Sequence, residues 1–261
     1  MWLRVSALLL RYLYLYRRSL PRAMELFFWP VMELLLWGFL SVYLSRYSLP
    51  DAVVYLIGAT ILWEVFYRAQ MAITLSVSEE IWVRNIINVF VAPVSPFELV
   101  LATCLLGVIR STLTALVLGV LAQVFYAFNL LSVGPALVPF YASLMLFGWA
   151  VGLCTVALIL RFGQAAEALI WGVPFLIQPL SAVFYPLEVL PQWLQALARA
   201  LPSTWVFEGM RDALRSGRGD GPLLAAALGL NVIYLAAGAA FFGWMLVRVR
   251  EKGYLARMAM E

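Results

Sequence analysis

Charged residues make up only 12% of this 261-residue chain, so each cluster of them calls for a physical reason. The adjacent carboxylates Glu79 and Glu80 are followed by Arg84, Asn85 and Asn88 and closed by Pro93, which puts charge and hydrogen-bonding groups into a stretch of helix formers. One carboxylate pair is thin material for acid–base catalysis, and the group suits contact with another molecule better. Glu33, Glu64, Arg68 and Arg110 form a second set, each inside a strongly apolar stretch. An ionisable side chain in hydrocarbon costs about 3 kcal/mol or more unless it is paired or wetted. Glu64 and Arg68 are one helical turn apart and suit an ion pair, which leaves Arg110 for Glu33 or for an anionic group of a substrate. The four read either as an intramembrane charge network or as part of a substrate path. With no histidine and only Cys104 and Cys154, both in apolar stretches, zinc, haem and iron–sulfur chemistry is excluded. No GxxxxGK[ST] phosphate loop occurs, so any use of ATP needs a nucleotide site on another chain.

The elements that must position these residues are set by hydropathy. Hydrophobic residues make up 64% of the chain and mean hydropathy is +0.92, more than a soluble core of this length can hide. The fold class is an all-α integral membrane protein, since barrel strands would alternate apolar and polar residues. A crossing needs about 20 apolar helical residues. Six segments qualify: 26–44, 52–77, 97–128, 136–160, 165–185 and 223–247. Glu33 falls in the first, Glu64 and Arg68 in the second and Arg110 in the third, while Pro174 and Pro179 interrupt the fifth.

Basic residues set the orientation. Arg4, Arg11, Arg17, Arg18 and Arg22 precede the first span, and Arg248, Arg250, Lys252 and Arg257 follow the last, so both ends are expected in the cytoplasm. Arg215 and Arg218 run against the rule on a long outer connection with acidic neighbours. Residues 1–23 lack the cleavage site of a signal peptide and mix leucine, tyrosine and arginine as a helix lying among anionic headgroups does. The net charge of +4 is accounted for by this inner-face arginine, with no nucleic acid required. Residues 248–261 form a cytoplasmic tail.

Between the second and third spans, residues 78–92 suit a short cytoplasmic helix. Ser76 or Ser78 would cap it, Glu79 and Glu80 would favour its positive N-terminus, and Ile81, Ile86, Val89 and Phe90 would share a face. On the outer side, residues 187–217 hold two short amphipathic segments. The first carries Leu190, Trp193, Leu194, Leu197 and Leu201; the second follows Pro202, is capped by Ser203 or Thr204, buries Val206, Phe207, Met210 and Leu214, and stops at Gly217. Glu208 and Arg211, three apart, can pair on one face.

The succession Glu79-Glu80, Arg84, Ala92-Pro93-Val94-Ser95 and Glu98, followed outside by Phe184-Tyr185-Pro186, Leu190-Pro191-Gln192-Trp193, Leu201-Pro202 and Glu208-Gly209-Met210-Arg211, resembles the permease subunits of ATP-binding-cassette exporters of the second type. That family includes polysaccharide, teichoic-acid and drug exporters, and the likeness covers nearly the whole chain. It implies that the segment around Glu79 to Val91 is a coupling helix fitting a cleft on a cytoplasmic ATPase subunit. Glu79, Glu80 and Arg84 would meet charged groups there, Asn85 and Asn88 would set register, and Pro93 would end the helix. It implies two ATPase copies holding ATP and Mg, no cofactor on this chain, a second permease copy in a homodimer or a heterodimer, and membrane lipid around them. Residues 187–217 would be two re-entrant helices forming an external gate, with Pro186, Pro191, Trp193, Pro202, Glu208 and Arg211 shaping it.

The expected function is therefore the transmembrane subunit of an exporter in a bacterial inner membrane, moving a lipid-linked glycan, a lipid or a hydrophobic small molecule by alternating access. A proton-coupled secondary transporter cycling protons on Glu33 or Glu64 is the competing class. Such proteins show repeated halves, and the prolines of the fifth span have no counterpart in the second.

Overall fold

The computed structural model describes residues 1–47, 52–216 and 221–254, and among these every regular element is helical. Helix α1 (Trp2–Arg18) is separated from α2 (Leu20–Ser45) by one extended residue, Ser19, with φ −121° and ψ 100°. The interfacial helix expected over residues 1–23 thus ends at Arg18. Pro21 explains the boundary: it lies in the first turn of α2, where its missing N–H has no bond to lose. There follow α3 (Ala52–Trp82), the short α4 (Ile86–Val91) and α5 (Pro96–Tyr126). A 3₁₀ turn then leads into α6 (Leu137–Phe162), with α7 (Leu169–Leu180), α8 (Gln192–Arg199), α9 (Pro202–Ser216) and α10 (Gly221–Glu251) completing the described chain.

Helices α2, α3, α5, α6 with its preceding turn, and α10 are each long and apolar enough to cross a membrane. The segment expected as the remaining crossing, residues 165–185, contains only the 12 residues of α7. At 1.5 Å per residue that is about 18 Å, against roughly 30 Å of hydrocarbon. Pro174 and Pro179 withhold two backbone donors from α7, and the chain turns over at Ala182 in the left-handed region, φ 51°.

Helix α3 lies at the centre, packed between α5 and α6 and crossed by α2, while α6 contacts α3 on one side and α10 on the other. Since lipid tails are as apolar as leucine, close backbone approach rather than hydrophobicity must hold such helices together. Gly148 and Gly152, one turn apart, provide it. A Cβ on Gly148 would fall 2.7 Å from the Phe66 carbonyl oxygen and from the Ala69 Cβ, and one on Gly152 would meet the Ile73 Cβ at 3.1 Å. Around this seam Phe66 and Phe147 stack with ring centroids 5.2 Å apart. Asn231 of α10 donates to Ser143 of α6 at 2.6 Å, a buried polar clip between the two helices.

Helix α9 buries Val206, Phe207 and Met210 and half-buries Leu214. It begins at Pro202, so Ser203 sits within the first turn instead of capping it; its hydroxyl bonds that of Ser181 at 2.6 Å, tying α9 to the end of α7. Gly217, Arg218 and Arg257 lie outside the described residues.

Candidate functional site

At the end of the bundle where α1 lies, α3 runs on to Trp82 and breaks. The Ser76 and Ser78 hydroxyls donate to the carbonyls of Ala72 and Thr74, 2.7 and 2.8 Å away, so they back-bond within α3 and cap nothing. The helix expected over residues 78–92 is therefore two pieces, the last turn of α3 with Glu79 and Glu80, and the six-residue α4. Burial decides this: Val77 and Ile81 belong to the same apolar cluster as Ile159 and Leu160 of α6, which keeps α3 helical through the carboxylates. The break is at Arg84, in the left-handed region with φ 56°. Helix α4 seats Ile86 and Val89 inward and leaves Asn88 and Val91 exposed, with Pro93 exposed beyond it. Asn85 donates to Glu80 at 2.5 Å and Asn88 to Asn85 at 2.9 Å, so the asparagines brace the elbow itself.

Both carboxylates are engaged within the chain. Arg11 of α1 pairs with buried Glu80 at 2.6 Å, and Arg22 of α2 with Glu79 at 3.3 Å. The hydrogen bond to Glu80 raises the Arg11 guanidinium above its ordinary range, opposed by partial burial. Beyond α4, Glu98 closes a capping box with Ser95 at the start of α5 and also meets Arg4 at 3.4 Å. Helix α1 thus grips the chain on both sides of α4. The sequence reading has Glu79 and Glu80 meet charged groups of another protein and gives no sign of the brace, although Arg4 and Arg11 stand two turns apart on one helix face. Among the described side chains around this elbow, Trp82, Val83, Arg84, Asn88 and Val91 face outward.

Inside the bundle, Arg68 Nε donates to Glu64 at 2.8 Å, with the two side chains 2% and 4% exposed. Glu33 lines the same cavity as Glu64, Arg68 and the Trp37 indole. Arg110 stands apart from Glu33: its guanidinium lies over the Tyr16 ring, 4.9 Å from the centroid, and its Nε and Nη1 have no hydrogen-bond partner. The four charges therefore split into a Glu33–Glu64–Arg68 group and an Arg110 that joins α5 to α1.

The first group lines a cavity of about 650 Å³ between α2, α3 and α7. Glu25, Trp29, Glu33 and Trp37 enter it from α2 at four-residue spacing, a single face of one helix. Trp63, Glu64, Tyr67 and Arg68 come from α3, and Trp171, Phe175 and Gln178 from α7. The 25-29-33-37 repeat is the sequence signal for Trp29 and Trp37, while Trp63 and Trp171 are brought to them by other helices. Trp37 also stacks on Phe184, centroids 3.9 Å apart, joining the cavity wall to the turn after α7.

That turn is held by α9. Arg211 donates to the carbonyls of Ala182 and Val183 at 2.9 and 3.3 Å and to Glu208 at 2.7 Å, and Glu208 accepts from the Leu187 N–H at 2.7 Å. Burial lowers the Arg211 guanidinium below its ordinary range, with Glu208 working against it. Pro186 and Pro191 precede a 3₁₀ turn and α8 respectively, Pro202 opens α9, and Trp193 projects from α8 largely exposed.

The elbow, the cavity and the turn all fall within residues 7–214, the stretch matched by the family model described as ABC-2 type transporter. No curated protein matches the chain. A family match over most of the chain, on a bundle of helices able to cross a membrane, places this protein in the ABC-2 type transporter family as the membrane-spanning permease part of an ABC exporter.

Proposed function

We propose that this permease is driven by two copies of a separate cytoplasmic ABC ATPase that bind the surface formed by the end of α3, the Arg84 elbow and α4, and that it works as a homodimer in a bacterial inner membrane with both ends cytoplasmic. The observation that carries the reading is the elbow: a six-residue helix between two long apolar helices, braced from behind by α1 and exposing Val83 and Val91. A push on α4 would pass through α3 and α5 together, because Glu80 at one side and Glu98 at the other are both tied to α1. The turn after α7, fastened by Arg211 and stacked on Trp37, then serves as the outer gate over the cavity, with α7 and the segments after it completing a re-entrant crossing. Alternating access moves cargo outward through the space between these two ends.

Val83 is 65% and Val91 79% exposed, so charge at either is tolerated by the permease alone. Val83→Asp and Val91→Asp should reduce capture of the ATPase subunit at least tenfold in copurification while leaving the melting temperature of the isolated permease unchanged. Full capture by both variants would remove this surface as the docking site.

A further inference from the structure

The cavity between α2, α3 and α7 has a composition that selects a class of cargo. Its volume of about 650 Å³ is that of a small-molecule site. Glu25, Glu33 and Glu64 line it together with a single guanidinium, that of Arg68. Glu64 is matched by Arg68, whereas among the described residues neither Glu25 nor Glu33 forms an ion pair. With Arg68 engaged by Glu64, Glu33 is left in the same cavity without an ion pair, to be met by a proton or by a cation from outside. Four indoles surround this point, and indole faces attract cations most strongly of the aromatic side chains.

A second observation points to a ligand. Arg68 is 98% buried, given its 2% exposure, and its Nη2 has no hydrogen-bond partner although the residue lines the cavity. A buried guanidinium N–H left unmet is costly, so an acceptor on a bound molecule would complete it. A glycan would need many more donors and acceptors than Tyr67 and Gln178 add to these charges. An anionic headgroup would face three carboxylates against one arginine.

We propose that this cavity binds an amphipathic organic cation, with its apolar or aromatic body against the indoles, its positive charge at Glu33 and a hydrogen-bond acceptor at Arg68 Nη2. The proposal rests on the exporter reading only for the direction of movement, since binding itself needs no ATPase.

The test compares tetraphenylphosphonium with tetraphenylborate, two ions of matched shape and opposite charge, in equilibrium dialysis against the purified full-length permease in neutral nanodiscs, with empty nanodiscs subtracted. Saturable binding of the phosphonium alone is expected. Glu33→Gln should weaken it at least tenfold and Glu33→Asp less than threefold, and the methoxyphenyl triphenylphosphonium analogue, which adds an ether acceptor, should bind several-fold tighter. Preferred or equal binding of the borate, no saturable binding of either ion, or an unaffected Glu33→Gln would overturn the proposal. Equal affinity for the methoxy analogue would overturn the Arg68 part. The wild-type ion comparison requires no variant to fold. Failure here leaves ATPase capture at α4 untouched, and failure of that capture leaves this binding result standing.

Discussion

Arg11 holds a carboxylate that is itself only 4% exposed, so removing the guanidinium strands a buried negative charge rather than merely deleting a surface contact. Arg11→Gln should lower the stability of the solubilised permease by about 2 kcal/mol, with Asn85 left as the partner of Glu80. Pairing it with Glu80→Gln should recover most of that loss, as a double-mutant cycle on thermal unfolding would register. Additive losses would mean that the two side chains do not support one another. The contrast between this pair and Glu64–Arg68 shows what single residues disclose in a sequence. Glu64 and Arg68 are four apart on one helix, so spacing alone announces the bond. Glu80 and Arg11 are separated by 69 positions, and only the folding back of α1 under α3 brings them together. For the same reason Glu79 and Glu80 read as unclaimed charges available to a partner. Arg110 was legible as a buried cation but not as the neighbour of Tyr16, because that contact too depends on where α1 docks.

At the scale of elements, five of the six apolar segments fall on the long helices α2, α3, α5, α6 and α10, since about 20 apolar residues in a row leave few alternatives to a crossing helix. Hydropathy failed where local apolarity and local backbone chemistry disagree. Residues 165–185 are apolar throughout their middle, yet prolines and the left-handed turn at Ala182 confine the helix to α7. Residues 78–92 show the opposite case: polar side chains suggested a new helix, and packing of Val77 and Ile81 carried α3 through them. The seam between α3 and α6 is carried by glycines whose spacing is visible but whose partner helix is not. Gly148→Leu should force α6 from α3, because even a Cβ there lies 2.7 Å from backbone and side-chain atoms of α3. Overpacking of this kind costs about 1–3 kcal/mol or more. Size-exclusion profiles and melting temperature should show loss of monodisperse protein, whereas Gly172→Leu, with open space at its Cβ, should behave as wild type. Equal tolerance of both would contradict the close approach.

The molecule as a whole is a bundle with a clamped break in its helices on either side of one cavity. At one end α1 clamps the elbow around α4; at the other α9 clamps the turn after α7; Trp37 and the Glu33 group lie between. Membership of the ABC-2 type transporter family supplies the expectation of an ATPase partner, and the elbow is the place proposed for it. In the proposed function, ATP hydrolysed on that partner drives cargo through this chain. The most direct measurement is uptake of a fluorescent organic cation into inside-out proteoliposomes containing the permease, with and without its ATPase subunit and ATP, and with and without an imposed proton gradient. Accumulation should depend on ATP, require the ATPase subunit, persist when the proton gradient is collapsed, and fall at least tenfold in Val91→Asp. Accumulation by the permease alone, driven by the gradient and abolished by Glu33→Gln or Glu64→Gln, would contradict the proposed function and make this chain a proton-coupled carrier.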